Sequence, residues 1–260
     1  MTSTISDKKI RLGIISALAE EQEGLIDVMQ DAVTLTHGMR EYTIGKLWNI
    51  DTVAVLSRIG KVAGAMTAAM LVEKFEVTHI IFTGVAGSAD VTVRVGDVVV
   101  AEALVQHDMD ASPLFPRFEV PLTGLTRLPS DLRLSDQLAG AARRFLASEP
   151  ASIKLHRGTI GSGDQFINDS VRIATLKERL PDLLAVEMEG AAVAQVCFEL
   201  NIPFAVIRTI SDNANEDAAT DFMHFVKTVA SRYAFGILEE FCKAYVSSTV
   251  DNAEVLHNLS

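Results

Sequence analysis

Short apolar runs alternate along this chain with longer segments in which apolar residues recur at helical spacing. The short runs predict strands at residues 11–16, 42–47, 52–57, 79–82, 96–105, 159–162 and 204–210. The longer segments predict helices at residues 61–76, 131–147, 170–179, 187–200 and 221–245. This alternation is typical of an α/β protein with a mixed central β-sheet that is flanked by helices on both faces.

No repeat, low-complexity segment or linker divides this pattern. We therefore expect a single domain over residues 1–246 and a disordered tail over residues 247–260. The length of 260 residues is sufficient to bury a hydrophobic core. Residues 107–130 lack a clear period and carry most of the prolines. An irregular stretch of this length in a compact domain is typical of a functional, interfacial or mobile loop.

The overall composition excludes several classes of protein. Apolar residues make up 48% of the chain and the mean hydropathy is +0.25, which argues against disorder. The formal net charge of −11 disfavours nucleic acid or an anionic membrane surface as a partner. No apolar run reaches the roughly 18 residues of a transmembrane helix. The polar first ten residues lack the apolar core of a secretory signal, so we expect a frayed start and a cytoplasmic protein.

The chain has only two cysteines, Cys197 and Cys242, and neither belongs to a CxxC motif. No histidine pair has the spacing of a structural zinc site. The sequence therefore predicts no disulfide framework and no metal site, which fits a reducing compartment.

Carboxylates and a glycine turn follow several of the predicted strands. In open α/β sheets the ligand crevice lies at the carboxyl ends of the strands, so these positions are the candidates for chemistry. They are Glu20 and Glu21, the turn at residues 83–88, Glu187 and Glu189, and Arg208 with Ser211 and Asp212. Each also has a structural interpretation. The acidic pair complements a helix dipole, the glycines allow a tight connection, and a buried arginine pairs with an internal carboxylate.

Glu187 and Glu189 are hard to explain by structure alone, because the surrounding segment AVEMEGAAVA is otherwise apolar. Two residues that lie two positions apart on a helix point to nearly opposite sides, so only one of them can face solvent comfortably. A carboxylate in an apolar environment is costly unless it accepts hydrogen bonds. We therefore expect a functional role for at least one of the two.

These candidates occur in an order that resembles the 5′-methylthioadenosine/S-adenosylhomocysteine nucleosidases, a family within the purine nucleoside phosphorylase superfamily. The stretches that carry the resemblance are residues 13–21, 60–63, 83–87, 95–100, 162–167, 186–189 and 208–212. The resemblance implies a nucleoside phosphorylase-like fold, a homodimer and hydrolysis of the N-glycosidic bond of 5′-thio-substituted adenosines. It implies a nucleoside as the small-molecule partner, and no cofactor.

The resemblance also implies roles for single residues. Glu21 matches the general base that takes a proton from water, and Asp212 matches the acid that protonates nitrogen-7 of the leaving adenine. Glu189 matches the carboxylate that binds the ribose hydroxyls. Arg208 matches a residue that helps to hold the water and the acidic network. Breaking this bond builds positive charge on the sugar and negative charge on the purine, so carboxylates near the sugar and an acid near the base suit the reaction.

The remaining matches are expected to bind substrate. Met188 matches a residue that lies against the sugar, Phe166 the aromatic side chain that stacks on adenine, and Ile167 a residue whose backbone contacts the base edge. Ala86 and Gly87 match the turn beside the ribose. The predicted substrate-binding set is completed by Glu187 and Ser211.

The chain departs from the family at three places. Val85 and Ser88 stand where the family usually has a hydroxyl residue and a glycine, and the loop at residues 107–117 diverges after its first positions. In the family this loop lines the pocket for the 5′ substituent. The sequence therefore leaves open which 5′ group is preferred, including one such as that of futalosine.

Two other interpretations also remain open. One is a phosphorylase that uses phosphate as the nucleophile, and the other is a catalytically silent nucleoside-binding protein. Related phosphorylases have arginines at positions where this chain has Thr83 and residues 19–21, and a carboxylate there would repel phosphate. We therefore expect water to be the nucleophile.

Overall fold

The structure, a computed structural model, describes residues 10–215 and 217–257. Nearly all of the start that we expected to be frayed, and the last three residues of the expected tail, lie outside the described residues. Within the described ranges, no helix is both long and apolar enough to cross a membrane.

The first half of the sheet is built on a buried parallel core strand. Strand β1 (Arg11–Ser16) pairs in parallel with β4 (Ile50–Leu56) on one side and with β5 (His79–Phe82) on the other. Strands β2 (Gln30–His37) and β3 (Arg40–Leu47) continue the sheet beyond β4 as an antiparallel meander. The apolar runs of β1 and β5 are explained by burial on both faces, as expected for central strands of a covered sheet.

The second half of the sheet curls until it closes on itself. Its strands are β6 (Val85–Ser88), β7 (Val98–Gln106), β9 (Leu155–Ser162), β10 (Leu183–Glu187) and β11 (Phe204–Asp212), with the short β8 (Leu128–Pro129) paired to β7. They follow the order β11–β6–β10–β9–β7, and β7 then pairs antiparallel with β11. The first residues of β11 pair with β5 and its later residues with β6, so β11 joins the two halves.

Helices cover both faces of the sheet, as the sequence predicted. They are α1 (Lys61–Glu73), α2 (Leu132–Leu146), α3 (Ser170–Arg179), α4 (Gly190–Glu199), α5 (Ala218–Phe225) and α6 (Ser231–His257), with a π-helical turn (Val226–Ala230) before α6. One hydrophobic core contains side chains of α1 and α4, and a second contains side chains of α2 and α6. The two cores lie on opposite faces, which confirms the predicted architecture.

Several predicted element bounds are wrong. The helix predicted at residues 187–200 begins only at Gly190, and Glu187 is the last residue of β10. Helix α1 ends at Glu73 rather than residue 76, because Glu76 has a left-handed φ of 53° that no α-helix accommodates. The long closing helix is two helices separated by the π-helical turn. Helix α6 continues to His257, past the start of the expected tail, and the domain boundaries stay a prediction.

Candidate active site

A cavity of about 350 Å³ lies at the carboxyl ends of β1, β10 and β11, beside strand β6. Its wall contains every site residue predicted from the sequence except Arg208. Those residues are Glu21, Ala86, Gly87, Phe166, Ile167, Glu187, Met188, Glu189, Ser211 and Asp212. The fold therefore brings together segments that are up to about 190 residues apart in the chain, as the carboxyl-end rule for α/β sheets predicts.

Glu21 lies in a short 3₁₀ turn that follows β1, and its carboxylate is buried. One oxygen, Oε2, accepts hydrogen bonds from the backbone N–H of Ala17 at 2.7 Å and of Leu18 at 2.9 Å. The other, Oε1, accepts one from Val85 N at 3.1 Å. Burial raises the pKa of Glu21, while the backbone N–H groups and the positive charge of Arg208 oppose this. Glu21 is thus an oriented carboxylate with increased basicity.

Arg208 lies behind the cavity wall and is 2% exposed. Its Nη2 donates to Glu187 Oε2 at 2.7 Å, and its Nη1 is 3.2 Å from the carbonyl oxygens of Phe82 and Ile207. The guanidinium also stacks on the Phe82 ring at 4.0 Å. This is the internal arginine–carboxylate pair that the sequence allowed. Arg208 therefore acts on the cavity through Glu187 and through its charge on Glu21, rather than by lining it.

Glu187 is held by protein groups on both carboxylate oxygens. Besides Arg208, it accepts hydrogen bonds from Ser162 Oγ, from Glu189 N at 3.2 Å and from Gly190 N at 2.8 Å. The two N–H groups belong to the start of α4, where a carboxylate compensates unpaired backbone donors. Although Glu187 borders the cavity, these contacts fix the position of α4 and of Arg208.

Glu189 lies immediately before α4 and lines the cavity. Its Oε1 accepts a hydrogen bond from Gly60 N at 2.7 Å, and its Oε2 accepts none from the described residues. Burial and the neighbouring charge of Glu187 raise the pKa of Glu189. The free oxygen can therefore bind a ligand hydroxyl.

Asp212 is the last residue of β11 and is buried. Its Oδ2 is 2.8 Å from the hydroxyl of Ser211, and its Oδ1 accepts a hydrogen bond from Ala214 N at 2.8 Å. Burial raises the pKa of Asp212, which favours the protonated form that a general acid requires. A Cβ atom at Gly87 would lie 2.8 Å from Asp212 Oδ1, so only glycine fits at that position of β6.

Phe166 and Phe222 form an aromatic wall of the cavity. Phe166 is 41% exposed and meets Phe222 of α5 edge to face, with ring centroids 5.7 Å apart. Buried Ile167 and partly buried Met188 continue this apolar surface. A flat, apolar ligand group with polar edges, such as a purine, suits an aromatic face beside a carboxylic acid.

Comparison with known proteins agrees with this geometry. The family profile described as "Phosphorylase superfamily" matches residues 11–243. The 5′-methylthioadenosine/S-adenosylhomocysteine nucleosidase of Shewanella frigidimarina is 37% identical over 217 residues, which cover 84% of this chain and 92% of the relative. The chain belongs to this nucleosidase family.

Solved structures of relatives have the same fold. The 5′-methylthioadenosine/S-adenosylhomocysteine nucleosidase of Neisseria meningitidis, in complex with methylthio-immucillin-A, superposes with a TM-score of 0.84 at 34% identity. That match covers 90% of this chain and 99% of the other. The futalosine hydrolase of Helicobacter pylori gives a TM-score of 0.80 at 31% identity, over 89% of this chain and 97% of the other.

As a member of the nucleosidase family, the chain also uses residues that the sequence did not single out. Four further residues line the cavity that the sequence did not predict: Leu18, Ile59, Gln165 and Phe222. Nothing in the sequence distinguishes them. A phenylalanine in a helix, or an isoleucine before a glycine turn, usually packs in the hydrophobic core. Gly60 was interpretable only as a turn residue, although its N–H holds Glu189.

Proposed function

We propose that this chain hydrolyses the N-glycosidic bond of 5′-thio-substituted adenosines, including 5′-methylthioadenosine and S-adenosylhomocysteine, and releases adenine. The observation that carries the proposal is the convergence of Glu21, Glu189 and Asp212 on one cavity beside an aromatic wall. The names of the relatives support the choice of substrate. A protein that only bound nucleosides would not need a buried acid and a buried base facing the same space.

The adenine leaves by protonation from Asp212. As the bond between the ribose and the purine breaks, its electron pair moves onto the purine ring. Protonated Asp212 donates its proton to nitrogen-7, so the base departs as neutral adenine. Phe166 stacks on the ring, and the backbone near Ile167 binds its edge. Ser211 keeps Asp212 oriented through the contact between its hydroxyl and Oδ2.

The ribose is attacked by water that Glu21 deprotonates. The positive charge that develops on the sugar is stabilised by the buried carboxylate of Glu21. Glu189 binds the ribose hydroxyls through its free oxygen, and Met188 packs on the sugar. One hydroxide adds to the sugar, the proton of water remains on Glu21, and exchange with solvent restores both side chains.

Water rather than phosphate fits the charges of this cavity. A phosphate dianion needs cationic groups or a dense set of backbone donors. Arg208 is engaged by Glu187 and by two carbonyl oxygens, and the carboxylate of Glu21 occupies the space beneath the sugar. Arg40 and Arg58 line a different cavity and do not reach this one. Val85 offers no hydroxyl, so water is placed by Glu21.

The test is adenine release from 5′-methylthioadenosine in phosphate-free buffer, followed by addition of phosphate. We expect release without phosphate and free 5-methylthioribose as the second product. A reaction that requires phosphate and yields a ribose-1-phosphate ester would contradict the proposal. So would the absence of turnover when the ligand binds.

A hydrolase with another 5′ group is the second candidate, because the Helicobacter pylori futalosine hydrolase has the same fold over nearly all of its length. The loop that diverges from the family at residues 107–117 is where this choice is expected to be made. A panel of nucleosides that differ only at the 5′ position, assayed by release of the free base, shows which 5′ group the protein prefers.

The active molecule is proposed to be a homodimer. Helix α1 presents Val62, 79% exposed, and Met66, 44% exposed, on one face, and the long loop presents Leu114, 83% exposed. Large apolar side chains exposed to this extent are typical of a surface that a partner covers. We propose that the loop near Leu114 and Phe115 closes over the partner subunit's cavity.

A cytoplasmic location completes the proposal. Cys197 and Cys242 are free thiols and are buried, which suits a reducing compartment. Cell fractionation followed by immunodetection tests this, and recovery in a secreted fraction would contradict it.

A further inference from the structure

A second cavity, of about 630 Å³, adjoins the candidate active site. The two cavities share Ala17, Leu18 and Ile59 in their walls. The second one is formed by strands β2, β3 and β4 and by the turn that follows β1. It contains no residue that the proposed mechanism uses.

Arginines dominate the charge of this second cavity. Arg40 and Arg58 both line it, and neither forms an ion pair with a carboxylate within the described ranges. Arg40 is buried and is held by carbonyl oxygens, at 3.0 Å from Ser57 and 3.2 Å from Gly38, while its Nε has no partner among the described residues. A buried guanidinium without a counter-charge is costly and attracts an anion.

Arg58 is held in a backbone conformation that favours glycine. Its φ is 68°, in the left-handed region, which costs roughly 1 kcal/mol or more for a residue with a side chain. The side chain is exposed, and its Nη2 donates to Met39 O at 2.8 Å. Met39 also has a left-handed φ, of 63°. A glycine would avoid this conformational cost, so the backbone itself gives no reason for an arginine at this position.

In the orientation that the proposed function gives the substrate, its 5′ end lies at the wall that the two cavities share. In that orientation Asp212 and Phe166 bind the adenine, and Glu189, whose Oε1 accepts a hydrogen bond from Gly60 N, binds the ribose hydroxyls through Oε2. The walls that remain for the 5′ substituent, Leu18 and Ile59, are apolar and suit a thioether. Because Leu18 and Ile59 also border the second cavity, a substituent longer than a methylthio group extends into it.

We propose that the second cavity binds the α-amino acid end of a long 5′-thio substituent, with Arg58 as the residue that recognises its carboxylate. Arg40 adds positive charge from behind, and exposed Glu41, which also lines the cavity, faces the ammonium group. Arginine presents hydrogen-bond donors in a planar fork that matches a carboxylate, whereas the neutral 5′-methylthio group has no charged acceptor for these donors. This inference rests on the proposed function and specifies how it selects substrates.

The test is the variant Arg58→Gly, which removes the cation and fits the left-handed backbone. Its kcat/KM is measured with S-adenosylhomocysteine, with the decarboxylated amine analogue of that substrate, and with 5′-methylthioadenosine. We expect kcat/KM for S-adenosylhomocysteine to fall about tenfold more than kcat/KM for the other two substrates, because one charge-assisted contact to the carboxylate is lost. Most of this fall should come from a higher KM. Arg58→Lys should recover part of the loss, and added salt should reduce the difference.

The control is Arg94→Gly, which removes an exposed arginine that lines neither cavity. Equal changes for all three substrates, or no change, in Arg58→Gly would overturn the inference while leaving the proposed function intact. If the unaltered protein releases no adenine from 5′-methylthioadenosine, the proposed function itself fails. An unchanged or raised melting temperature of Arg58→Gly confirms that the fold is retained.

Discussion

At the scale of single residues, three buried carboxylates differ in the donors that surround them. Burial raises the pKa of Glu21, Glu189 and Asp212 alike. Among the described residues, Glu21 accepts hydrogen bonds from backbone N–H groups only. An N–H cannot accept a hydrogen bond from a protonated carboxyl group, so these contacts favour the ionised form of Glu21. Asp212 contacts the hydroxyl of Ser211, which can donate or accept. The hydroxyl can also accept a hydrogen bond from a protonated Asp212, and this difference supports the roles of base and acid that we propose for Glu21 and Asp212.

The first prediction concerns the rate of the variant Asp212→Asn. The amide keeps the size of the side chain and can still accept from Ala214 N, but it has no acidic proton for nitrogen-7. We expect kcat for adenine release to fall by roughly 10² or more, the usual contribution of a general acid. Asp27→Asn, at an exposed position outside the cavity, is the control. Near-normal adenine release by Asp212→Asn would remove Asp212 from this role.

The second prediction concerns the stability of the same variant. The pKa of Asp212 is raised above its usual 3.8 in the folded state, so the folded state binds the proton more tightly than the unfolded state. The corresponding stability is present below the unfolded pKa and is lost as the pH rises through the folded value. The neutral amide escapes this loss, so Asp212→Asn should melt at a higher temperature than the unaltered protein at neutral pH.

This advantage should shrink as the pH is lowered and should vanish well below 3.8, where the acid is protonated in both states. Thermal unfolding of both proteins across that range measures it. A constant difference in melting temperature at all pH values would mean that the side chain does not titrate as the burial of Asp212 requires.

At the scale of elements, the active site depends on how closely strand β6 approaches the end of β11. Gly87 pairs with Asp212 across these two parallel strands, and the absence of a side chain at Gly87 leaves room for the carboxylate. A second junction joins the start of α1 to the loop that carries Phe166. There Asp164 Oδ1 accepts from Lys61 N at 2.7 Å, and Asp108 binds both Lys61 Nζ at 2.6 Å and Asp164 N at 2.9 Å.

The third prediction is that Gly87→Ala impairs catalysis more than folding. The added Cβ would lie 2.8 Å from Asp212 Oδ1 and 3.1 Å from the Cβ of Ala214, so the acid must move. A displacement of about 1 Å can reduce a rate by about 10², and we expect a loss of that order in kcat. Gly140→Ala is the control, because its Cβ would meet only the flexible end of Arg144 at 3.5 Å. If Gly87→Ala kept full activity, the close approach of β6 would not matter for Asp212.

Elements of this fold were predictable where burial leaves a pattern in the sequence. The apolar runs of β1, β5 and β11, and the carboxylates that follow them, indicated both the sheet and the edge that carries the site. The segment around Glu187 was not predictable, because a short apolar run with two carboxylates fits a strand end and a helix start equally well. Strand β2 was missed because it is mostly exposed and has little apolar content to mark it.

From the residues alone, only the charged part of the site stands out, whereas its uncharged part, such as Phe166 and Met188, was predicted through the family resemblance. Glu21, Glu189 and Asp212 are conspicuous because carboxylates are rare beside buried strands. Phe222 reaches the cavity through the packing of α5 against β11, a long-range contact that no local pattern encodes. The contact of Gly60 N with Glu189 has the same origin, since it joins residues that are far apart in the chain.

At the scale of the whole molecule, the closure of β7 onto β11 decides where the chemistry lies. Strand β11 belongs to both halves of the sheet, so its carboxyl end brings Asp212 next to β6 and opposite the end of β1. The side of the cavity that we assign to adenine is thereby built from the half of the sheet that closes on itself (β6–β11). The side that carries Glu21 is built from the first half (β1–β5). The exposed face of α1 and the loop near Leu114 lie outside this arrangement, and a second copy of the chain is what we propose to cover them.

The last prediction tests that assembly with the variant Val62→Glu. Val62 is the second residue of α1, where a negative charge favours the helix dipole, so the substitution should not destabilise the subunit itself. In a dimer interface the same charge would be buried without a partner, which is strongly unfavourable. We expect light scattering at micromolar concentration to give the mass of one chain for Val62→Glu and of two chains for the unaltered protein. Adenine release should fall in the monomer, because the partner's loop no longer closes the cavity.

Val91→Glu is the matched control, since Val91 is 95% exposed in the turn between β6 and β7 and should leave both mass and activity as they are. A monomeric unaltered protein with full activity, or a monomeric Val62→Glu variant with full activity, would refute the role that we give to the second subunit.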